Sequence, residues 1–319
     1  DGVKNTTRYL LDDCPAISNI VIGSGIGTVS ADLWPASRPA LVSVTVNGGG
    51  ETVVAGALLR DIASVRHVTL RGVKSIGDEA FIRCHGLETV TVTGDRLEYV
   101  GRSAFADCES LVSVSLPEGS SPVLGERAFY NCRSLRDLAL PRLLPSIGNS
   151  AFCYCRSLPA VSLPDTVTNI GNYAFSGCSG LTSVSVPNSV VNIGEYAFQG
   201  CAKLPEITLS AGLKRMGICA LSACPLLKKV AMPPDVWCTG SLSGSSYALQ
   251  KDLDTLGYFA RWIVDAHWDN GSQDYVVSYS PVEDITLVSG GEELYSQMFK
   301  SASMLKQVVL SENITKIGS

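Results

Sequence analysis

Residues 170–187 read IGNYAFSGCSGLTSVSVP, and 193–209 repeat the phrase as IGEYAFQGCAKLPEITL. Aligning the chain on [IVLM]-G-x-x-A-F-x-x-C-x-x-L-x-x-V-x-L-P finds Ala80-Phe81, Ala104-Phe105, Ala128-Phe129, Ala151-Phe152, Ala174-Phe175 and Ala197-Phe198, with Ala220-Leu221 close behind. Successive pairs lie 23 or 24 residues apart. A fixed period of this length marks a solenoid, in which each unit buries its apolar face only by stacking on its neighbours. Weaker copies flank the run: LLDDCPAISNIVI from Leu10, LWPASRPALVSVTV from Leu33, LLRDIASVRHVTL from Leu58, and, near the C-terminus, YVVSYSPVEDITL and MFKSASMLKQVVL.

Each unit carries two periodicities. In Ala104-Phe105-x-x-Cys108-x-x-Leu111 the apolar positions fall at i, i+1, i+4 and i+7, which predicts a short α or 3-10 segment that persists only through tertiary packing. From Leu111 the pattern changes to alternation, so Val114 and Leu116 face inward from a strand that Pro117 ends. A glycine such as Gly171 or Gly194 then supports a tight turn into the next unit. The expected fold is an α/β solenoid with one parallel strand per 23- to 24-residue repeat and short helical, 3-10 or extended segments on the far side.

The domain reading follows. Residues 1–233 are repeats, the first three degenerate; 234–274 form an irregular insertion; 275–319 resume the repeats and break off inside another. Val230 and Ile285 are 55 residues apart, room for one degenerate unit (Tyr247, Leu253, Leu256, Tyr258) with the excursion itself at about 259–274.

The phrase IGxxAFxxCxxLxxVxLP resembles the BspA-like, or treponemal-type, leucine-rich repeat family, and the resemblance covers nearly the whole chain. It implies a right-handed horseshoe with the strands on the concave face. It also implies a secreted or surface protein of host-associated microbes that adheres to protein or glycan partners on host or microbial surfaces. It implies no catalytic residue.

Composition bounds the partners. The net charge is −5, charged residues are 17% and apolar residues 45%, so the chain is foldable and mildly acidic. Without a basic cluster in view, neither nucleic acid nor an anionic membrane is expected as partner. No apolar run approaches the roughly 20 residues of a membrane span, and the opening DGVKNTTRYLLDDC has no signal-peptide pattern, so the chain reads as a mature or trimmed product. The sequons at 5–7, 270–272 and 313–315 leave glycosylation to the host cell.

The recurring cysteine raises the question of chemistry. Cys14, Cys84, Cys108, Cys132, Cys155, Cys178, Cys201 and Cys224 share the motif position, and Ile62 and Ala302 replace it in register. That substitution favours a buried plug over a disulfide between rungs or a metal ligand, since a metal needs converging ligands rather than one per repeat. Cys153, off the ladder, is the candidate for an outward thiol. His67 and His85 occupy variable positions and read as solvated. GSGIG at 23–27 and NGGG at 47–50 resemble phosphate loops only faintly and read as turns. An enzyme is not expected, and neither a cofactor nor a metal. The remote catalytic reading uses Asp265, His267 and Asp269, which share one face of a strand.

Two surfaces are candidates for binding. The outward strand residues Thr91, Ser115, Ser162, Ser185 and Thr208 stack into a small, hydroxylated stripe on the concave face, although Thr and Ser also favour exposed strands generally. The insertion holds Trp237, Tyr258, Phe259, Trp262 and Trp268, suited either to a binding hot spot or to a local aromatic core. A purely architectural spacer is the competing role.

Overall fold

The computed structural model describes residues 16–30, 40–233, 236–239, 264–269, 274–279, 282–287, 293–294, 299, 304–309 and 316–317. The chain divides into two compact units, Asp1–Leu158 and Pro159–Ser319. Each is a parallel β-solenoid.

In the first unit the strands Asn19–Ile22, Ser43–Val54, His67–Ile76, Thr89–Thr93, Ser113–Ser115 and Asp137–Ala139 pair in parallel in chain order. The repeat length is the register: Val68 faces Val90, Val90 faces Val114, and Val114 faces Leu138. A second track runs through Thr28–Val29, the ends of the two long strands, Tyr99–Val100 and Val123–Leu124. In the second unit the same track comprises Ala160–Ser162, Ser183–Ser185, Glu206–Thr208, Lys229–Met232, Asp284–Leu287 and Gln307–Val309. Its second track includes Asn169–Ile170, Asn192–Ile193, Arg215–Gly217 and Trp237–Thr239. Val230 pairs directly with Ile285, so the sheet passes from one to the other with no strand between them. Val264–Asp269 pairs antiparallel with Asp274–Tyr279.

The segment expected to be helical is built differently: among the described residues there is no α- or 3-10 helix. The Ala-Phe segment is a chain of turns whose N–H groups alternate in direction. Ala80, Ile82 and Cys84 donate within their own rung, to Gly77, Glu79 and Phe81. Glu79, Phe81 and Arg83 donate instead to the carbonyls of Arg102, Ala104 and Ala106 on the next rung, each at 2.8 Å. The second unit repeats this, with Tyr173, Phe175 and Gly177 donating to Glu195, Ala197 and Gln199. A helix would keep every N–H inside its own segment. The alternation requires left-handed residues on either side of Ala-Phe, and they are there: Glu79 (φ 57°), Arg83 (φ 55°), Ser103 (φ 52°) and Asp107 (φ 58°). Each such residue costs about 1 kcal/mol when it is not glycine, and the bond to the next rung offsets it. Gly177 (φ 70°) and Gly200 (φ 69°) remove the cost where they occur.

The core is a column of identical side chains. Phe81, Phe105, Phe129 and Phe152 are fully buried, and their rings stack at 5.0, 5.2 and 5.4 Å within 3° of parallel. Phe175 and Phe198 stack at 5.5 Å. These separations follow the strand spacing of about 4.8 Å. Leu111, Leu135, Leu181 and Leu204 fill the next column, each fully buried.

The motif glycine answers to close approach, not to turn geometry. A Cβ on Gly101 would lie 2.4 Å from the Gly77 carbonyl carbon, and one on Gly194 2.4 Å from the Asn172 nitrogen. Neither has a positive φ. Gly194→Ala is therefore expected to force successive rungs apart and to cost about 1–3 kcal/mol, read as a lowered midpoint in urea. Ala substitution at Gly119, where the nearest atom would be 3.9 Å away, is the control and should leave the midpoint nearly unchanged.

Candidate binding surface

The outward stripe exists in each unit. In the first, Thr91 lies opposite Ser115 on the adjacent strand, and Ser115 opposite Ala139. In the second, Ser162 faces Ser185, Ser185 faces Thr208, and Thr208 faces Ala231. Thr91, Ser162, Ser185 and Thr208 are exposed and Ser115 is half-buried. The column then continues through Thr286 and Val309, which sequence reasoning missed because the intervening insertion hides their register.

At that end of the second unit the sheet face forms an open depression of about 290 Å³. Glu206, Thr208, Lys229, Asp284, Thr286 and Gln307 line it. Register places Glu206, Lys229, Asp284 and Gln307 side by side on four successive strands. Among the described residues neither Glu206, Lys229 nor Asp284 is in an ion pair; Glu206 and Lys229 are exposed and Asp284 is half-buried. One residue back along the strands, Glu283 is held between Lys306 (2.8 Å) and Lys228 (3.5 Å). The Lys306 hydrogen bond holds its carboxyl below the usual range.

The insertion candidates fall largely outside the described residues: Tyr258, Phe259 and Trp262 lie there entirely. Trp237 and Trp268 are placed only by backbone. Trp237 begins a strand that pairs with Arg215–Gly217, and Trp268 lies opposite Tyr275. Asp265, His267 and Asp269 occupy alternate positions of that same strand, as their spacing implied. His67 and His85 are exposed, and His67 Nδ1 lies 2.9 Å from Thr89 Oγ1.

The cysteine ladder is a packed column. Cys84, Cys108, Cys132, Cys155, Cys178, Cys201 and Cys224 are fully buried thiols; Cys14 lies outside the described residues. Their role exceeds filling space. Cys84 Sγ donates to the Leu59 carbonyl at 3.0 Å, Cys108 to Phe81 at 3.1 Å, Cys132 to Phe105 at 3.2 Å and Cys155 to Phe129 at 3.3 Å. In the second unit Cys201 donates to Phe175 and Cys224 to Phe198. Each thiol therefore ties its rung to the one before. Burial pushes the thiols of Cys108, Cys132, Cys155 and Cys201 well up, and that of Cys224 to about 12. Cys153, expected as the outward thiol, is buried at 5% exposure. The left-handed residues of that rung are Ser150 (φ 53°) and Tyr154 (φ 62°), and Cys153 lies between them. Among the described residues no group of three or more His, Cys, Asp or Glu side chains could hold a metal ion, and no helix is long and apolar enough to cross a membrane.

The turn surface of the first unit carries a cluster that the sequence pattern did not reveal. The rings of Tyr130 and Tyr154 meet edge to face at 5.7 Å. The Arg127 guanidinium lies over Tyr130 at 5.5 Å and that of Arg156 over Tyr154 at 5.7 Å. Burial, then Cys153 and Tyr154, push the Tyr130 phenol up, so it stays neutral.

Comparison with known proteins agrees with this architecture. A family model for the BspA type leucine rich repeat region matches residues 59–150, 123–246 and 271–319, in six copies. A leucine-rich repeat protein from Bacteroides ovatus has the same fold, with a TM-score of 0.63 at 19% identity over 99% of this chain and 73% of that one. The T. pallidum leucine rich repeat protein is 28% identical over 59% of this chain and 84% of its own, with a TM-score of 0.47. A leucine rich cell surface protein from Faecalibacterium prausnitzii is 20% identical over 93% of this chain and 88% of its own, also with a TM-score of 0.47. No curated protein matches the chain.

The buried thiols set an alkaline limit on stability. Unfolded, each titrates near 8.5; folded, Cys224 titrates only at about 12. Between those values the folded state keeps a proton that the unfolded state has lost. Their contribution is therefore complete below about pH 8.5 and falls as pH rises, by about 1.4 kcal/mol per pH unit per thiol. The urea midpoint is expected to drop steeply from pH 9 to 11, and Cys132→Ala is expected to make that drop shallower. At pH 8 thiol reagents should label none of the ladder until denaturant is added. Rapid native labelling of Cys108 or Cys132 would refute the packing account.

Proposed function

The chain belongs to the BspA-type leucine-rich repeat family, and from that premise we propose that it is a non-enzymatic binding module, secreted or displayed at the cell surface, that captures an extended polypeptide on its sheet face. The observation that carries this reading is the depression at Glu206, Thr208, Lys229, Asp284, Thr286 and Gln307. An open, shallow floor suits a partner that makes many weak contacts rather than a small molecule, which wants an enclosed and mostly apolar cavity. The exposed Glu206 and Lys229 and the half-buried Asp284, at strand spacing, offer charge registration to a chain laid across the strands, and such complementarity chiefly sets specificity and on-rate. The hydroxyls of Thr208 and Thr286 add hydrogen bonds without charge.

The test is capture of the full chain by a panel of immobilised matrix proteins and mucins. The triple variant Thr208→Arg, Lys229→Glu, Thr286→Arg changes only surface side chains, so its circular dichroism should match the parent. Its capture by the responsive panel member should fall about tenfold or more. Equal capture of parent and variant would remove the sheet face as the site. Absence of any saturable binding up to about 0.1 mM would favour the spacer role instead.

A further inference from the structure

We propose that the turn surface of the first unit carries a second, separate site, built by Arg127, Tyr130, Tyr154 and Arg156, that takes a sulfated glycan.

The charge is local and unexpected. Residues 127–158 contain five arginines (127, 133, 136, 142 and 156) against the single acid Asp137, in a chain whose net charge is −5. Arg133 is held by Glu109 at 3.5 Å and Arg127 by Glu126 at 3.7 Å, both exposed pairs that an incoming polyanion can replace. Arg156 has no carboxylate partner among the described residues, and Arg156 and Arg133 stand on adjacent rungs, linked by the Ser157 N–H bond to the Arg133 carbonyl. Asp107, hydrogen-bonded by Asn131 at 2.7 Å, is an acid close enough to act on Tyr130.

The aromatics supply what a bare cationic patch lacks. Stacking on a ring orders a guanidinium without neutralising it, which leaves its N–H fork free to grip an oxyanion in two-point fashion. The edge-to-face contact of the two tyrosines couples the two arginines into one unit, and Tyr154, 38% accessible, leaves part of its surface exposed at the centre. A sugar ring on that surface with sulfate oxygens toward Arg156 and Arg127 matches this layout. A duplex or a membrane surface would ask for a wider field of cations.

Tyr154 also occupies a left-handed turn position. Its φ is 62°, in the left-handed region. The same turn position is filled by Gly177 and Gly200 in the second unit, by Asp107 and Asn131 in the first, and also by Arg83 and Ala223. Tyr154 shares this left-handed cost with Arg83, and its side chain is left exposed.

The experiment measures binding of the full chain to a heparin-derived oligosaccharide, to its desulfated counterpart and to single-stranded DNA, at about 0.15 M salt. The sulfated sugar should bind saturably and the other two at least about tenfold more weakly. Arg127→Ala with Arg156→Ala should abolish the preference. Tyr154→Asn should weaken binding about tenfold while its melting temperature stays level or rises. Lys229→Glu, on the sheet face, should leave glycan binding unchanged, so the two sites fail independently. No binding of the sulfated sugar, equal binding of the desulfated sugar or of DNA, or full binding by the double arginine variant would each overturn the proposal.

Discussion

Everything in this fold depends on main-chain contact between successive rungs at nearly the same spacing around the perimeter. In most β proteins only the strands are held at that distance. Here the turns are held too, because alternate N–H groups of the Ala-Phe segment donate forward to the next rung at 2.7–3.1 Å in both units. A residue that thickens the backbone anywhere on the ring then separates the strands everywhere. The motif glycine sits where the neighbouring backbone would come within 2.4 Å of a Cβ. The alanine beside the phenylalanine is fully buried in each clear copy, and the cysteine is small enough to fit while its thiol reaches the preceding carbonyl. The phenylalanines stack at the spacing this ring dictates rather than setting it.

The same constraint decides where variation is allowed. Identical positions of neighbouring repeats are brought side by side, so surface chemistry is written in columns rather than along the chain. Asn192 donates to Asn169, and Arg215 donates in turn to Asn192. Asp61 pairs with Arg83 one rung on. Tyr173 and Tyr196 stack at 4.7 Å, covering each other's faces. Where such columns pair within themselves they leave little for a partner; the row at Lys229, whose Glu206, Lys229 and Asp284 form no ion pair among the described residues, does not.

Much of this was legible in the sequence. The period alone fixed the strand register, the inward valines and leucines, and the phenylalanine column. Replacement of the ladder cysteine by Ile62 pointed to packing, and the burial of every described ladder thiol agrees. The helix failed for a physical reason: apolar spacing at i, i+1, i+4 and i+7 is shared by a helical face and by a tandem of turns, and apolar pattern cannot tell them apart. The discriminating signal lay in polar positions. Gly177, Gly200, Asn131 and Asp107 occupy one column, and together they specify a left-handed residue that no helix accommodates. The outward reading of Cys153, made because it lies off the ladder, failed as well: the residue is buried. The arginine cluster escaped notice because its members occupy different motif positions and converge only when the rungs stack.

The insertion shows how tolerant such a design is. Because the sheet pairs Val230 with Ile285 as directly as any two neighbours, the excursion replaces a return path of ordinary length with one more than twice as long. Loop closure charges only about 0.6 kcal/mol for each doubling of length, so the interruption is thermodynamically minor, provided that the register resumes. It resumes because Asp284, Ile285, Thr286 and Leu287 carry the alternation that Lys229 to Met232 require opposite them. A solenoid of this kind can therefore acquire an appendage at any rung without relearning its fold, and the cheapest place to acquire function is beside a floor of exposed polar side chains that already exists.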